Sequence, residues 1–128
     1  MLAEAPAHHV FKVIHLDLAR EPAHPEGSAA DRYTLILPLD DDDRIDPDYC
    51  RPFPDLCRVA HVSLGGGIHR GLIRCDAEGT WVFDYGDADA EDEVGFRFSQ
   101  ERFTPGEYVS VIRDGQAHPY RVISLQPL

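Results

Sequence analysis

EYVSVIRDGQAHPYRVISL, residues 107–125, is the stretch whose reading decides the fold. Two β-rich runs flank Asp114-Gly115, and Asp-Gly between such runs is a strong short-range signal for a two-residue hairpin turn. With that turn Val109 faces Tyr120 and Val111 faces His118, so Val109, Val111, Tyr120 and Val122 share one face, expected to be buried. The same assignment leaves Arg113, Asp114 and Gln116 in water. The opposite face carries Tyr108, Ile112, Ile123 and Leu125, so both faces need cover and further strands are required. Pro119 has no N–H to give a ladder, which predicts an edge or a bulge there.

Working outward, the other segments are β-like as well. Residues 10–18 (VFKVIHLDL) and 32–39 (RYTLILPL) alternate, with a polar loop containing two prolines and a glycine between them. CRVAHVSL, GGG and IHRGLIRC read as a hairpin; TWVFDY follows, with Trp81 and Phe83 on one side. VGFRF predicts a strand with Val94, Phe96 and Phe98 on one face. Asp46-Pro47 is a good helix start, an N-cap acceptor followed by proline at the first helical position. Pro52 and Pro54 end that helix within about two turns. The expectation is an all-β domain spanning residues 1–128, with residues 1–8 a disordered tail. Its architecture is a compact antiparallel barrel, or a strongly curved sheet, of about eight strands with one short helix.

Several of these segments together, HPEGS, the passage from LPLD to RID, CRV, WVFDY, GFRF and FTPGEYVS, resemble a family of small bacterial proteins that is uncharacterised. The resemblance extends from about Phe11 to Leu125. It implies a complete domain with a more helical middle segment than Pro52 and Pro54 allow here, and it brings no activity, cofactor or catalytic residue.

Composition narrows the function classes. The net charge of −11 lies in two stretches, residues 40–48 and 84–93, while the rest of the chain is balanced. No cluster of Lys and Arg exists to neutralise phosphates, so direct nucleic-acid binding is not expected. The N-terminal residues have neither the basic leader of a signal peptide nor an uninterrupted apolar span, so no membrane insertion is expected. Three cysteines are an odd number, which suits a reducing cytoplasm better than a secreted disulfide framework.

Candidate sites are few. His61, His69, Cys57 and Cys75 lie within one hairpin and are the residues a metal or an enzyme would use. If the three glycines are the whole turn, Cys57 faces Cys75 and His61 lies diagonal to His69. Cys57 and His61 are then about 13 Å apart along their strand, too far for one tetrahedral ion. Asp87, Asp89 and Glu91 alternate like the start of a calcium loop, but Asp92 occupies its glycine position and Phe98 its bidentate glutamate position. No activated-serine or phosphate-loop pattern occurs. His118 and Tyr120 could flank a cleft; the plainer reading is a rim histidine and a core tyrosine. The expected function is therefore a non-catalytic, cofactor-free domain. Its acidic loops, through Asp41, Asp42, Asp43, Asp87, Asp89, Glu91 and Asp92, meet a basic protein surface. The alternative is a small metal-binding protein or enzyme built on His61 and His69.

Overall fold

Each strand pairs antiparallel with the next in sequence, and the last returns to the first, so the sheet closes into an eight-stranded barrel. The structure, a computed structural model, describes residues 10–86 and 93–128. The strands are β1 (Phe11–Leu18), β2 (Ser28–Pro38), β3 (Arg58–Val62), β4 (Ile68–Cys75), β5 (Trp81–Asp84), β6 (Glu93–Phe96), β7 (Tyr108–Arg113) and β8 (Gln116–Pro127). Closure removes the exposed edges that an open sheet would have to protect. Between β2 and β3 lie a single helical turn, α1 (Pro47–Cys50), and a 3₁₀ turn over Pro54–Leu56. Asp46 caps α1 by accepting from the Asp48 N–H, and Pro52 and Pro54 keep it from growing.

Inward-facing side chains fill the barrel. Leu16, Leu35, Phe83, Val111, Tyr120 and Val122 are all essentially inaccessible. The closing hairpin has the register its Asp-Gly turn requires: Val109 opposite Tyr120, Val111 opposite His118, and Arg113 opposite Gln116. Asp114 and Gly115 both take positive φ, as a primed turn demands. Truncating Val111 to alanine should cost about 1–3 kcal/mol in a urea melt, from lost apolar burial and the cavity left. Ile112, half-buried on the outer face, should cost clearly less; the reverse order would place the hairpin one residue out of register.

Three expectations need correction, and one register that the sequence leaves open takes a definite form. Arg113 is not in water. It has the parity of Val109 and Val111 and points into one mouth of the barrel, where its guanidinium reaches the hydroxyls of Tyr33 and Tyr120. Pro119 sits at neither an edge nor a bulge: it pairs with Ser110, and its carbonyl accepts from Ala19 just past the end of β1. The missing N–H therefore points beyond the β1 ladder, and the bulge falls at Ile123, between the pairs His15–Ser124 and Leu16–Val122. In β6 it is Gly95 that faces inward, while Phe96 is exposed. Arg97 takes a positive φ and reverses the chain, so Phe98 folds back with its ring against the Gly95 backbone. Last, the β3–β4 turn spans five residues closed by Ser63 N–H to Gly67 C=O, 3.0 Å. This puts His61 directly opposite His69 and Cys57 opposite Ile73.

Candidate functional site

The period of two that fills the barrel with apolar side chains places polar ones at the end of the same rows. Asp31 and Tyr33 continue the inward row of β2, His61 that of β3, Tyr85 that of β5, Glu93 that of β6, Arg113 that of β7, and Tyr120 that of β8. These rows converge on one mouth of the barrel. His61 Nε2 lies 2.7 Å from Asp31 Oδ1, with both side chains more than nine-tenths buried. Asp31 Oδ1 also accepts from the Tyr120 hydroxyl at 2.8 Å, and the Arg113 guanidinium stands 3.8 Å from Oδ2. The His61 ring lies flat on Tyr33, centroids 4.0 Å apart and planes 8° from parallel. Glu93 Oε1 accepts from both Tyr33 (2.6 Å) and Tyr85 (2.7 Å).

The contacts of His61 set its chemistry. A carboxylate at Nε2 holds the ring proton there, which leaves the Nδ1 lone pair directed away from Asp31. Among the described residues Nδ1 makes no hydrogen bond; its nearest carboxylate oxygen is Glu93 Oε2, at 4.0 Å. Two acceptors therefore face one another across a gap that a single donor atom, at about 2.8 Å from each, would bridge. His61 itself keeps only 5% of its surface exposed. A carboxylate orienting one imidazole nitrogen while the other is left bare is the arrangement of a general base.

The surrounding ionisations are strongly biased. Burial raises the Asp31 carboxyl, but hydrogen bonds from His61 and Tyr120, with the charges of His61 and Arg113, together hold it below its ordinary 3.8. Burial, then the negative charge of Glu93, pushes the Tyr33 and Tyr85 hydroxyls far up. Burial does the same to Tyr120, against the pull of Arg113. The three phenols thus serve as donors and not as phenolates. At the rim, Glu21 accepts from His118 (2.8 Å) and His24 (3.2 Å). Burial acts against Glu21, yet these contacts lower it below its ordinary 4.5. Carboxyls lowered by folding contribute stability above their unfolded values and lose it as pH falls through the folded ones. Thermal melts should therefore show stability falling once pH drops below about 4.5, and Asp31→Asn should flatten that fall; an unchanged profile would contradict the network.

His61 and His69 do come together on this face, as neighbours across β3 and β4, although His69 is exposed and packs edge-on against Tyr85 at 5.9 Å. Cys57 and Cys75 do not join them. They lie at the other end of the barrel, beside Ile73 and Trp81. Among the described residues no group of three His, Cys, Asp or Glu side chains is placed to hold a metal ion, so the four-residue metal site is not formed. Asp31, Tyr33, Tyr85 and Glu93 were not singled out by the sequence reading; Arg113 was expected in water, and Tyr120 was read as a core or cleft tyrosine without a partner.

The first acidic stretch, residues 40–48, follows β2 at the cysteine end of the barrel. There Asp40 Oδ1 accepts from the N–H groups of Asp42 and Arg44. Asp43 accepts from Thr104 Oγ1 at 2.8 Å, so of the candidate surface residues here only Asp41 and Asp42 are fully exposed. Asp87, Asp89, Glu91 and Asp92 lie outside the described residues; the strand ends that flank them, at Tyr85 and Glu93, belong to the His61 mouth.

No family model matches the chain, and no curated protein or solved structure is recognisably similar to it. No helix among the described residues is long and apolar enough to cross a membrane. Function has to be argued from the mouth itself.

Proposed function

We propose that the protein binds a small, donor-bearing molecule at the His61 mouth of the barrel and exchanges a proton with it through His61 Nδ1. The observation that carries this reading is His61 Nδ1, without a hydrogen bond among the described residues, facing Glu93 Oε2 across 4.0 Å, while Asp31, Tyr33, Tyr85 and Tyr120 beside it are all hydrogen-bonded. A purely structural network would close that last contact too, because burying ionisable groups costs several kcal/mol and apolar residues fill barrel ends without it. Asp31 orients the ring, Tyr33 stacks on it, and Arg113 fixes the phenols. With one fixed cation, two carboxylates and a basic nitrogen, the mouth suits neutral or cationic ligands carrying N–H or O–H groups, not anions.

The test is a protein-observed NMR titration with a panel of small amines, alcohols, amides and carboxylic acids. Amines, alcohols or amides should move the signals of residues 31, 61 and 93 together, and carboxylic acids should not. His61→Gln or Glu93→Gln should weaken that binding about tenfold or more, the loss of one charge-assisted hydrogen bond. A panel that leaves these signals in place, or binding indifferent to both substitutions, rejects the reading.

A second reading, a non-catalytic domain that meets a basic protein surface, is favoured by Asp41 and Asp42. Both are exposed on a turn that is pinned by Asp40 and by Phe103 N–H to Asp43 C=O, 2.8 Å. Capture of a basic partner that weakens with added salt and with Asp41→Asn/Asp42→Asn supports it; capture unaffected by either rejects it.

A further inference from the structure

A cleft with a volume of about 760 Å³ lies on the outer wall of the barrel, within the size range of small-molecule sites. One side is formed by β7 and β8, through Tyr108, Pro119, Arg121 and Ile123; the other is the connection from β1 to β2, through Arg20 and Glu26. No side chain of the His61 mouth lines it.

Alternation builds the sheet side. Asp17, Arg121 and Tyr108 are successive cross-strand partners on β1, β8 and β7, so they form one outward row. The bulge of β8 falls at Ile123 and turns that side chain outward beside the row. Tyr108 is 59% exposed and Ile123 41%. The loop side is held in place by its own contacts. Glu21 and His24 exchange backbone hydrogen bonds at 3.1 and 2.9 Å, and Gly27 N–H donates to the His24 carbonyl at 2.9 Å. Gly27 takes a φ of +70° and lies so close to the Leu18 carbonyl that a Cβ there would collide with it. The charges of the outward row are unbalanced. Arg32 takes both oxygens of Asp17, at 2.6 and 3.2 Å. Arg121, the partner of Asp17 on the other side, is left exposed and without a carboxylate among the described residues.

We propose that this cleft binds a small monocarboxylate with an apolar, ring-bearing body. Arg121 holds the carboxylate through its planar pair of N–H groups, and Arg20 adds positive charge from the loop. Tyr108, Pro119 and Ile123 cover the body. Glu26 repels a second negative charge, which weighs against phosphates and dicarboxylates. The net charge of −11 opposes anions at long range, so capture depends on these contacts and not on steering.

The test is a protein-observed NMR titration of the full chain with phenylpropionate. Phenylpropionamide supplies the same body without the charge, and acetate the charge without the body. Phenylpropionate should move the signals of residues 108, 121 and 123 with a dissociation constant on the order of 1 mM. Both controls should bind about tenfold more weakly or worse. Arg121→Gln should weaken phenylpropionate about tenfold and Tyr108→Ala about fivefold. Both residues are exposed, so neither change touches the core. Signals of residues 31, 61 and 93 should stay in place, which separates this cleft from the His61 mouth: either site can fail its titration while the other passes. No movement at residues 108, 121 and 123, binding of the amide or of acetate as tight as that of phenylpropionate, or binding indifferent to Arg121→Gln overturns the proposal. The amide comparison is made on the wild-type chain and decides the matter even if a variant fails to fold.

Discussion

Asp31→Ala should lower the stability of the protein by about 3–5 kcal/mol, the cost of removing one partner from a buried charged pair. The substitution strips His61 Nε2 and the Tyr120 hydroxyl of their shared acceptor and leaves Arg113 without the carboxylate it faces. Three polar groups then remain in a mouth too narrow to solvate them fully. Asp31→Asn should cost markedly less, because both donors reach the same oxygen and an amide oxygen there can still accept from them. Urea midpoints at neutral pH distinguish these outcomes. Equal midpoints for wild type and Asp31→Ala would mean that the mouth is hydrated and the network open.

Phe98→Ala should have an effect of the same size, about 3–5 kcal/mol, through lost burial and a cavity at the centre of an aromatic cluster. The ring is inaccessible and meets Phe103 edge-on at 5.1 Å and Phe83 at 5.8 Å. It also covers the inner face of β6 where Gly95 supplies no side chain. A Cβ added at Gly95 would come within 2.6 Å of three ring atoms, so Gly95→Ala should destabilise as well, by displacing the same ring. Phe96→Ala, on the exposed outer face, should be nearly silent. Thermal melts of the three variants give the ranking, and a Phe96 effect as large as that of Phe98 would place the wrong aromatic inside.

The fold was legible where local chemistry fixed the register. Asp114-Gly115 permits one tight turn, and the alternation of residues 10–18 and 32–39 follows from half-buried pleats. Legibility failed where a residue type was read before its parity. Arg113 carries the parity of Val111, and its charge alone suggested solvent; inside the mouth, Tyr33 and Tyr120 give that charge partners. Phe98 has the parity of Phe96, but the pleat stops at Arg97, whose positive φ no spacing rule announces. The β3–β4 register stayed open because Ser63 and its neighbours can join the glycines in a wider turn, as they do, two residues from the three-glycine register. A slip of two keeps the faces, and so His61 and His69 were rightly placed together.

The site was less legible than the fold, for a definite reason. Asp31 sits in a stretch that reads as a polar loop, and Glu93 closes an acidic run whose other members suggest only solvation. Neither stands near His61 in sequence: barrel closure brings them there from β2 and β6. A signal was nonetheless present. Tyr33, Arg113 and Tyr120 each extend an apolar alternating row by one position, and polar residues at the ends of several inward rows mark a polar mouth.

The two ends of the barrel divide the chemistry. At one, donors and carboxylates surround a single histidine, with His69 and His118 at its rim; at the other, thiols gather under α1. Strands of eight and eleven residues, β1 and β2, run the length between them. The solid apolar interior separates the two, so substitutions at the cysteines should leave the His61 signals unmoved.

The measurement that tests the central claim most directly is the nitrogen-15 spectrum of the His61 ring in the full chain at neutral pH, with and without a ligand found in the titration. The account predicts a proton on Nε2, held by Asp31, and an unprotonated Nδ1 whose resonance moves when the ligand binds. A proton on Nδ1 with a bare Nε2, or an Nδ1 resonance indifferent to every ligand that binds, would contradict it.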